Sequence, residues 1–587
     1  MLKLLKNLNK RDYIYVFISA GLIVFQVWLE LKMPDYMSNI TQLVQTRGAS
    51  INDILREGSY MLLCAFGSLV SAFIVGYFTS TIAASFSYRT RGKLFRKVED
   101  ISTFEIKKFS PSSLITRTTN DITQIEFLIA MGLTLMIKAP ITAVWAVTKI
   151  LNKNIEWSIL TGVAVLALLI TIGIIMMIVM PKFKIVQELM DKINMVMREN
   201  LSGIRVVRAF NAEKYQEDKF ENVNNTLTNQ QVFNQKAFNF LSPVMYLVMY
   251  FLTLGIYFIG AILINEANMG DKIVLFGNMI VFSSYAMQVI MSFLMLAMIF
   301  MMLPRASVSA KRINEVLDTP ISVKEGTVTM NNSDIKGCVE FKNVSFKYPD
   351  ADEYVLEDIS FKVNKGETIA FIGSTGSGKS TLINLIPRFY DATSGEILIN
   401  GIDVRDYSFE YLNNIIGYVP QKATLFSGDI LSNVSFGKNI DGKPSNKKIA
   451  DALRVSQASE FVSKLEDGEK SHIAQGGTNI SGGQKQRLSI ARTIARNPEI
   501  YIFDDSFSAL DYKTDSILRR ELREYTKDAT VMIVAQRIGT ILNADKIVVL
   551  DNGKCVGVGT HNELMKKCKV YKEIALSQVS KEELENV

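Results

Sequence analysis

Residues 368–381 read Thr-Ile-Ala-Phe-Ile-Gly-Ser-Thr-Gly-Ser-Gly-Lys-Ser-Thr, and a helical pattern, Leu382–Phe389, follows. The apolar start, Thr368–Ile372, predicts a buried strand, and the rest is the G-x-x-x-x-G-K-[ST] pattern in a strand–loop–helix context. Glycines let backbone N–H groups approach phosphate oxygens, and the helix N-terminus adds partial positive charge. An isolated Gly-rich loop can be a structural turn, but this context favours a nucleotide-binding α/β domain.

The loop also supplies side chains suited to a magnesium–nucleotide complex. The Lys379 ammonium is placed to reach the outer phosphates, and the Ser380 hydroxyl can ligate Mg²⁺. The candidate nucleotide-binding residues of this loop are Gly373, Ser374, Thr375, Gly376, Ser377, Gly378, Lys379, Ser380 and Thr381.

Two carboxylates end an apolar run further along the chain. Ile500–Asp504 reads as a buried strand, and Asp504 has the position of the carboxylate that holds Mg²⁺. Asp505 follows it directly, and a second apolar strand, Thr530–Val534, leads into Gln536. Upstream, residues 479–487 contain Ser-Gly-Gly at the start of a helical pattern, which is either an anion-binding design or an ordinary helix cap.

The first 303 residues have a different character. The chain has 587 residues, 48% of them hydrophobic, and its mean hydropathy is +0.17. A membrane-spanning helix takes about 20 apolar residues. Six runs qualify: Tyr13–Met33, Met61–Phe86, Phe127–Leu151, Trp157–Met180, Phe240–Ile264 and Val274–Leu303. The first could be a signal peptide, but Glu-Leu-Lys-Met-Pro follows it instead of a small-residue cleavage site, which favours a retained span.

Lys and Arg residues cluster in the long connections 87–126 and 181–239, whereas those near 152–156 and 265–273 are short. This bias predicts that the N-terminus, both long connections and the C-terminus are cytoplasmic. Both long segments look helical, so we expect the spanning helices to continue beyond the bilayer. The net charge of +7 therefore fits basic loops at a membrane face, and no dense basic run with interleaved aromatics indicates nucleic-acid binding.

These patterns predict a transmembrane domain over 1–303, a linker over 304–336, a nucleotide-binding domain over 337–575 and a C-terminal tail over 576–587. The absence of a CxxC pair and the presence of only two histidines argue against a zinc centre and a disulfide framework.

Glu30 and Lys32, near the end of the first span, are interpreted as interfacial.

A methionine face runs along the sixth candidate span. It comprises Met287, Met291, Met295, Met298 and Met302, at spacings that put them on one side of a helix. Methionine is soft and adaptable, which suits a promiscuous binding surface. A lipid-facing or helix-packing stripe explains the same spacing, and both interpretations stay open.

In order and spacing, these motifs resemble the ABC (ATP-binding cassette) exporter superfamily over essentially the whole chain. The resemblance implies a six-helix membrane bundle with long cytoplasmic extensions, fused to an α/β P-loop cassette that uses ATP and Mg²⁺. It implies that Tyr348 stacks on adenine and that Gln421 senses Mg²⁺ as a third metal-binding residue beside Ser380 and Asp504. It also implies that Ser508–Asp511 is the D-loop. The signature motif would be Ser481, Gly482, Gly483 and Gln484, which in this family reaches ATP held by the opposite cassette.

The resemblance also gives two segments of the long connections a possible coupling role. These are Phe109–Arg117, read as a helix restart, and Arg208–Glu213. The plainer interpretation is that both are loop turns.

Two catalytic positions depart from the family pattern. Family members usually carry Glu where this chain has Asp505, and His where it has Gln536. Asp is one methylene shorter than Glu, and small misplacements of a general base can cost about a hundredfold in rate. Gln donates a hydrogen bond but carries no charge. One such change could be tolerated drift, but two at one site favour a degenerate site that binds ATP and hydrolyses it slowly.

This combination is similar to the degenerate-site half of heterodimeric multidrug-type exporters. It implies a homologous partner that carries Glu and His, a bacterial plasma membrane location and an amphipathic drug- or lipid-like substrate. The alternative is an ATP-gated channel or a membrane regulator that binds ATP without pumping.

Overall fold

The computed structural model describes residues 2–46, 50–151, 155–331, 335–437 and 442–578. Two compact units make up the chain. One comprises Met1–Glu99 and Ser110–Asp318, and the other comprises Asp100–Phe109 and Thr319–Val587. Parts of the predicted linker (332–334), of one short loop (152–154) and of the C-terminal tail (579–587) lie outside the described residues.

The first unit is helical. Its helices are α1 (Leu2–Leu5), α2 (Lys10–Gln45), α3 (Ile51–Asp100, the last residue being assigned to the second unit), α5 (Pro111–Thr118), α6 (Asn120–Phe127), α7 (Leu133–Leu151), α8 (Ile155–Ala209), α9 (Glu213–Glu266) and α10 (Met269–Leu317). A π-helical turn, Leu128–Gly132, joins α6 to α7. Within the described residues, six helical stretches are long and apolar enough to cross a membrane, which confirms the six predicted spans.

The spanning helices extend well beyond the apolar runs, as predicted. The α3, α8 and α9 helices have 50, 55 and 54 residues, whereas about 20 residues cross a bilayer. The predicted helix restart is present, because α5 begins at Pro111 and the Ser110 hydroxyl accepts a hydrogen bond from the Ser113 N–H group. The α10 helix continues to Leu317, so residues 304–317 of the predicted linker are helical, with Pro304 inside the helix.

Aromatic side chains fill the centre of the first unit. Trp157, Phe282 and Tyr285 are fully buried, and the Trp157 and Phe282 rings lie 5.3 Å apart. On the methionine face of α10, by contrast, Met291 is 48% exposed. The methionine face is therefore the less buried side of that helix, and this agrees with either interpretation of it.

The second unit is built on a ten-stranded sheet and a two-stranded sheet. The strands are β1 (Val339–Phe346), β2 (Leu356–Val363), β3 (Thr368–Gly373), β4 (Ser394–Ile399), β5 (Ile402–Asp403), β6 (Ile416–Val419), β7 (Gly428–Asp429), β8 (His472–Ile473), β9 (Ile500–Asp504), β10 (Thr530–Val534), β11 (Lys546–Asp551) and β12 (Lys554–Gly559). Its helices are α4 (Thr103–Lys108), α11 (Lys379–Asn384), α12 (Phe409–Ile415), α13 (Ile430–Val434), α14 (Asn446–Val455), α15 (Ser459–Val462), α16 (Gly482–Arg496), α17 (Tyr512–Tyr525), α18 (Ile538–Ile541), α19 (His561–Lys567) and α20 (Lys569–Gln578).

The large sheet has the order β5-β4-β1-β2-β12-β11-β3-β10-β9-β6. Within this sheet, the adjacent strands β3, β10, β9 and β6 run parallel to one another, and nearly all of their residues are buried. The predicted strands at β3, β9 and β10 are confirmed. The predicted helix over Leu382–Phe389 is wrong in extent, because α11 ends at Asn384. Pro387 lacks an N–H group and disfavours helical backbone before it, and Arg388 has a φ of +61°.

One short helix between the second and third spans belongs to the second unit. The Phe104 ring of α4 packs against the apolar cluster under β1 and β3, and the Lys107 ammonium donates a 3.2 Å hydrogen bond to the Tyr390 hydroxyl. The segment predicted for coupling, Phe109–Arg117, is divided between the two units. Only Phe109 of it groups with the second unit, and Ser110–Arg117 group with the first.

Candidate nucleotide-binding site

The carboxyl ends of four adjacent parallel strands bring the predicted site residues together. The phosphate loop follows β3, Gln421 follows β6, Asp504 ends β9, and Gln536 follows β10. Loops after neighbouring parallel strands meet at one edge of a sheet, which is where open α/β sheets bind ligands. Strand order therefore assembles residues that lie more than a hundred positions apart in the chain.

The phosphate loop wraps around the Lys379 side chain. The Lys379 ammonium donates hydrogen bonds to the carbonyls of Gly373 (2.9 Å) and Ser374 (2.7 Å). Burial lowers the pKa of Lys379, and the nearby carboxylates of Asp505 and Asp504 oppose that shift. A side chain at position 373 would meet the Leu550 carbonyl oxygen at 2.1 Å, so the tight loop requires glycine there. The result is a backbone cradle with a cation in its centre.

Two predicted magnesium ligands are in direct contact. The Ser380 hydroxyl donates a 2.9 Å hydrogen bond to Asp504 Oδ1, and the Tyr418 hydroxyl lies 3.4 Å from Asp504 Oδ2. Burial raises the pKa of Asp504, the Asp505 charge adds to that rise, and the Ser380 hydrogen bond opposes it. Hydroxyl and carboxylate oxygens are ligands that Mg²⁺ prefers. Sequence reasoning assigned no role to Tyr418, although it lies only a few residues before Gln421.

The third predicted magnesium ligand, Gln421, contacts Asp505 instead of Asp504. Gln421 Nε2 donates to Asp505 Oδ2 at 3.2 Å, and Gln536 Nε2 donates to the same oxygen at 2.7 Å. Asp505 is 9% exposed and has a left-handed φ of +46°. One carboxylate oxygen thus joins the loops after β6, β9 and β10, and we call this arrangement the amide clasp.

The predicted adenine-stacking residue lies beside the phosphate loop. The Tyr348 hydroxyl is 3.1 Å from Thr381 Oγ1, and the Tyr348 ring packs edge-on against Tyr390 with 5.4 Å between ring centroids. The Lys107 ammonium is 5.9 Å from the centroid of each of these two rings. Sequence reasoning missed Lys107 and Tyr390, because no local pattern relates a residue of α4 to this site.

The predicted signature residues lie at the start of the α16 helix. Ser481 and Gln484 form a capping box, in which the Ser481 hydroxyl accepts from the Gln484 N–H group and Gln484 Oε1 accepts from the Ser481 N–H group. Ser481 and Gly482 are exposed. A side chain at Gly483 would lie 3.2 Å from the Ala509 carbonyl oxygen, so the D-loop packs on the start of this helix. The first two predicted signature residues are thus exposed at the capped start of the helix.

The donor set fits a magnesium–nucleotide complex. Lys379 and the loop N–H groups suit the phosphates of ATP, Tyr348 suits the base, and Ser380 with Asp504 suits Mg²⁺. The metal would supply charge neutralisation between phosphate oxygens.

Comparison with known proteins agrees with this assignment. The family model described as "ABC transporter" matches residues 356–508, and the one described as "ABC transporter transmembrane region" matches residues 15–302. The chain belongs to the ABC transporter family.

Relatives of this ABC transporter chain cover nearly its full length. An uncharacterised ABC transporter ATP-binding protein of Mycobacterium tuberculosis is 40% identical over 92% of this chain and 93% of its own length. The uncharacterised ABC transporter ATP-binding protein YfiB of Bacillus subtilis is 36% identical over 89% of this chain and 90% of its own length. An ATP-dependent lipid A-core flippase of Pseudomonas aeruginosa is 31% identical over 86% of this chain and 82% of its own length.

A solved structure supports the fold. The structure of a bacterial Atm1-family ABC exporter with ATP bound superposes with a TM-score of 0.81, covering 97% of this chain and 100% of that one at 22% identity. The family matches and the six apolar helices make the transporter an integral membrane protein with its nucleotide-binding domain in the cytoplasm, and the structural likeness shows the ABC exporter fold. Its ATP-binding domain makes it an ATP-hydrolysing transporter.

Proposed function

We propose that this chain is one subunit of a heterodimeric ATP-driven exporter, in which its own Walker site holds ATP and hydrolyses it slowly. The amide clasp carries the proposal: Gln421 and Gln536 both donate to Oδ2 of Asp505. A general base must present an oxygen within hydrogen-bond reach of the attacking water. One of the two Asp505 oxygens is engaged by amides, and the shorter side chain sets the carboxylate back from the position that Glu would reach.

The phosphate-binding part of the site contrasts with its catalytic part. Lys379 donates to the loop carbonyls and Ser380 donates to Asp504, and these are the groups that ATP and Mg²⁺ require. Gln536 replaces a potentially charged imidazole with a neutral amide, which weakens stabilisation of the γ-phosphate during hydrolysis. Retained binding groups with altered catalytic groups support slow turnover at a site that still binds ATP.

The open signature supports the second half of the proposal. In the dimer, Ser481–Gln484 would complete the partner's site, where the partner supplies Glu and His. The exposed Ser481 hydroxyl and the N-terminus of α16 suit a phosphate contributed by another chain. A homodimer of this chain would contain two slow sites.

The proposed substrate class is inferred from the names of two relatives and from the side chains of the membrane-spanning unit. One relative, 31% identical over 85% of this chain and 84% of its own length, is a putative multidrug export protein of Bacillus subtilis, and another is the lipid A-core flippase. The exposed methionine face on α10 suits adaptable contacts. We propose an amphipathic substrate, drug- or lipid-like, that is moved out of the cytoplasm within the bilayer.

The test is to co-express this chain with a half-transporter encoded beside it and to measure phosphate release by the pair and by each chain alone. Replacing the partner's Glu with Gln is expected to abolish turnover by the pair. Asp505→Asn should retain most of it, since this site contributes little hydrolysis.

Equal loss of turnover in the two variants, or rapid hydrolysis by this chain alone, would contradict the degenerate-site proposal. Reconstituted vesicles then separate exporter from channel. ATP-dependent accumulation of an amphipathic dye supports export, and passive ion conductance without accumulation supports the channel or regulator alternative.

A further inference from the structure

A cavity of about 410 Å³ lies within the nucleotide-binding unit, between α17, β10 and α18. Its floor is apolar, because Leu522 of α17 and Val531 and Ile533 of β10 lie there, each less than a tenth exposed. The described residues that line it include none of the predicted nucleotide-binding residues. The cavity is therefore a separate feature of this unit.

Three arginines of α17 form the basic wall of this cavity: Arg519, Arg520 and Arg523. Arg523 lies four and three positions after the other two, and residues at these spacings are neighbours on a helix surface. No aspartate or glutamate belongs to the cavity wall within the part of the chain that the structure describes. The wall therefore favours an anionic occupant.

Only one of these arginines pairs with a carboxylate of the described residues. Arg519 lies 2.9 Å from an Asp515 oxygen, whereas Arg523 Nη2 donates to the neutral carbonyl of Asn543 at 2.7 Å. Arg520 is exposed and forms no ion pair or hydrogen bond with any described residue. A guanidinium is a planar fork of donors that matches a carboxylate. Arg520 and Arg523 therefore present two positive charges to an acidic ligand.

The α20 helix ends at the rim of this cavity. Gln578 Oε1 accepts a 2.8 Å hydrogen bond from the Ile538 N–H group, and Gln578 Nε2 donates to the Gln536 carbonyl at 2.7 Å. Gly539, the next residue after Ile538, lines the cavity, and its carbonyl accepts from Arg519 Nη1 at 2.7 Å. The chain beyond Gln578 therefore starts beside the basic wall.

Residues 579–587, which we call the acidic tail, lie outside the described residues and read Val-Ser-Lys-Glu-Glu-Leu-Glu-Asn-Val. One lysine against three glutamates gives this segment a net charge of −2. Glu582 and Glu583 follow Gln578 by four and five positions, so an extended chain carries them up to roughly 13–18 Å from it. The acidic tail thus has the charge and the reach to meet the basic wall, and Leu584 suits the apolar floor.

We propose that the acidic tail docks into this cavity of its own chain. The two adjacent glutamates would pair with Arg520 and Arg523, and Leu584 would lie on the apolar floor. Docking would also steady the loop after β10, because Gln578, at the start of the acidic tail, bonds that loop. This interaction goes beyond the proposed export function and does not depend on it.

The experiment attaches a benzophenone photocrosslinker to Ser580→Cys in the full-length chain, purified in the complex in which it assembles. The wild-type chain, treated in the same way, gives the background from the native cysteines. Mass spectrometry identifies the captured peptides, and gel mobility separates cross-links within one chain from those between chains. We expect capture of residues 512–526 and 538–544 of the same chain, and less capture at high salt, because salt screens exposed charges.

Charge variants on either side separate docking from folding. Glu582→Gln/Glu583→Gln leaves the cavity unchanged and should lower the cross-link yield about threefold or more, since two surface ion pairs are lost. Arg520→Gln/Arg523→Gln should have the same effect, and reversing the charges on both sides in one chain should restore the yield. Lys513→Gln, which removes an exposed charge of α17 outside the cavity wall, is the matched control and should leave the yield unchanged.

Cross-links between two copies of the chain, capture outside the cavity, or a yield unaffected by the charge variants would overturn the proposal. Displacement of the wild-type acidic tail by inorganic phosphate at matched ionic strength would also overturn it, because the cavity would then be a site for a free anion. The measurement uses no nucleotide, so these outcomes leave the degenerate-site proposal unaffected.

Discussion

The carboxylate of Asp505 joins three loops that are remote in the sequence. Its Oδ2 accepts from Gln421, after β6, and from Gln536, after β10. The resemblance to the family implies that Asp505 and Gln536 are departures from its usual Glu and His, but it does not imply their contact. The two departures form one hydrogen-bonded unit, so we expect their effects on hydrolysis to be strongly non-additive.

Restoring both family residues tests that coupling. The double variant Asp505→Glu/Gln536→His is expected to raise ATP hydrolysis by this chain alone by about tenfold or more, since a positioned base commonly contributes at least 10²-fold. Each single variant should gain much less, because the remaining departure still disrupts the site. Phosphate release under saturating ATP provides the measurement. A double variant no faster than either single one would show that Asp505 and Gln536 do not limit hydrolysis.

Lys379 is the cation inside the phosphate loop, and its ammonium bonds two loop carbonyls. Lys379→Ala should weaken ATP binding by about tenfold or more, because a charge-assisted hydrogen bond is worth about 1.5–3 kcal/mol. Lys365→Ala removes an exposed lysine from the turn before β3 and serves as the control. Fluorescent ATP titration gives the affinities, and similar values for both variants would exclude Lys379 from the phosphate site.

At the scale of elements, α16 combines a structural cap with a proposed phosphate contact. The Ser481 hydroxyl caps the helix, and the same hydroxyl is exposed to a second chain. A capping role and a phosphate role respond differently to charge, because Asp caps helices as well as Ser does but repels phosphate.

Ser481→Asp should therefore keep the stability of the nucleotide-binding unit, whereas Ser481→Ala should lower it by about 1 kcal/mol. Both variants should lose most ATP hydrolysis in the assembled pair. Chemical denaturation of the nucleotide-binding unit and phosphate release by the pair are the two measurements. Full hydrolysis by the Asp variant would show that Ser481 acts only as a helix cap.

The first residue of α19, His561, is buried and contacts Tyr571 of α20. His561 Nδ1 lies 2.7 Å from the Tyr571 hydroxyl, and burial lowers the pKa of His561. The unfolded chain, with a His pKa of about 6.5, then binds more protons than the folded chain as the pH falls through that value. The contribution of His561 to the free energy of unfolding is thus fully present above about pH 6.5, and it is lost as the pH falls toward the pKa of His561 in the folded chain.

His561→Gln should reduce this pH dependence. We expect the difference in unfolding free energy of the nucleotide-binding unit between pH 7.5 and 5.5 to be smaller in the variant than in the wild type. Urea denaturation at both pH values measures it, and the comparison within each protein cancels any uniform effect of the substitution. Identical differences would mean that His561 is protonated equally in both states.

On the scale of the whole molecule, the division into units does not follow the order of the chain. Asp100–Phe109 lie between the second and third spans in sequence, yet they belong to the nucleotide-binding unit. The Phe104 ring packs on the apolar cluster of that unit. A cassette excised as residues 319–587 would lack this ring and expose the surface that it covers.

Fusing residues 100–109 to the excised cassette through a flexible linker should therefore raise its melting temperature by several degrees. Full burial of a Phe side chain contributes about 1.5–3 kcal/mol, so the half-buried Phe104 should contribute about 1 kcal/mol, and each kcal/mol shifts Tm by about 2–4 °C in a domain of this size. The same fusion with Phe104→Ala is the matched control and should melt close to the unfused cassette. Equal melting of the two fusions would show that Phe104 adds no stability.

The sequence alone determined the six spans and the strands β3, β9 and β10, and it predicts the phosphate loop and the departures at Asp505 and Gln536. Each of these depends on neighbouring residues: apolar runs long enough for a bilayer, strands ending in carboxylates, and glycines at fixed spacing. The extent of α11 was wrong because a proline-linked turn overrode its helical pattern.

Only the tertiary structure decided that Gln421 and Gln536 share one oxygen of Asp505, that α4 joins the nucleotide-binding unit, and that Arg519 of α17 and Gln578 of α20 both bond to residues of α18. The physical reason is that strand order and helix packing bring together side chains from distant segments. Such contacts leave no periodic pattern in the local sequence. In contrast, the length of a membrane span and the glycine spacing of a loop can be read from consecutive residues.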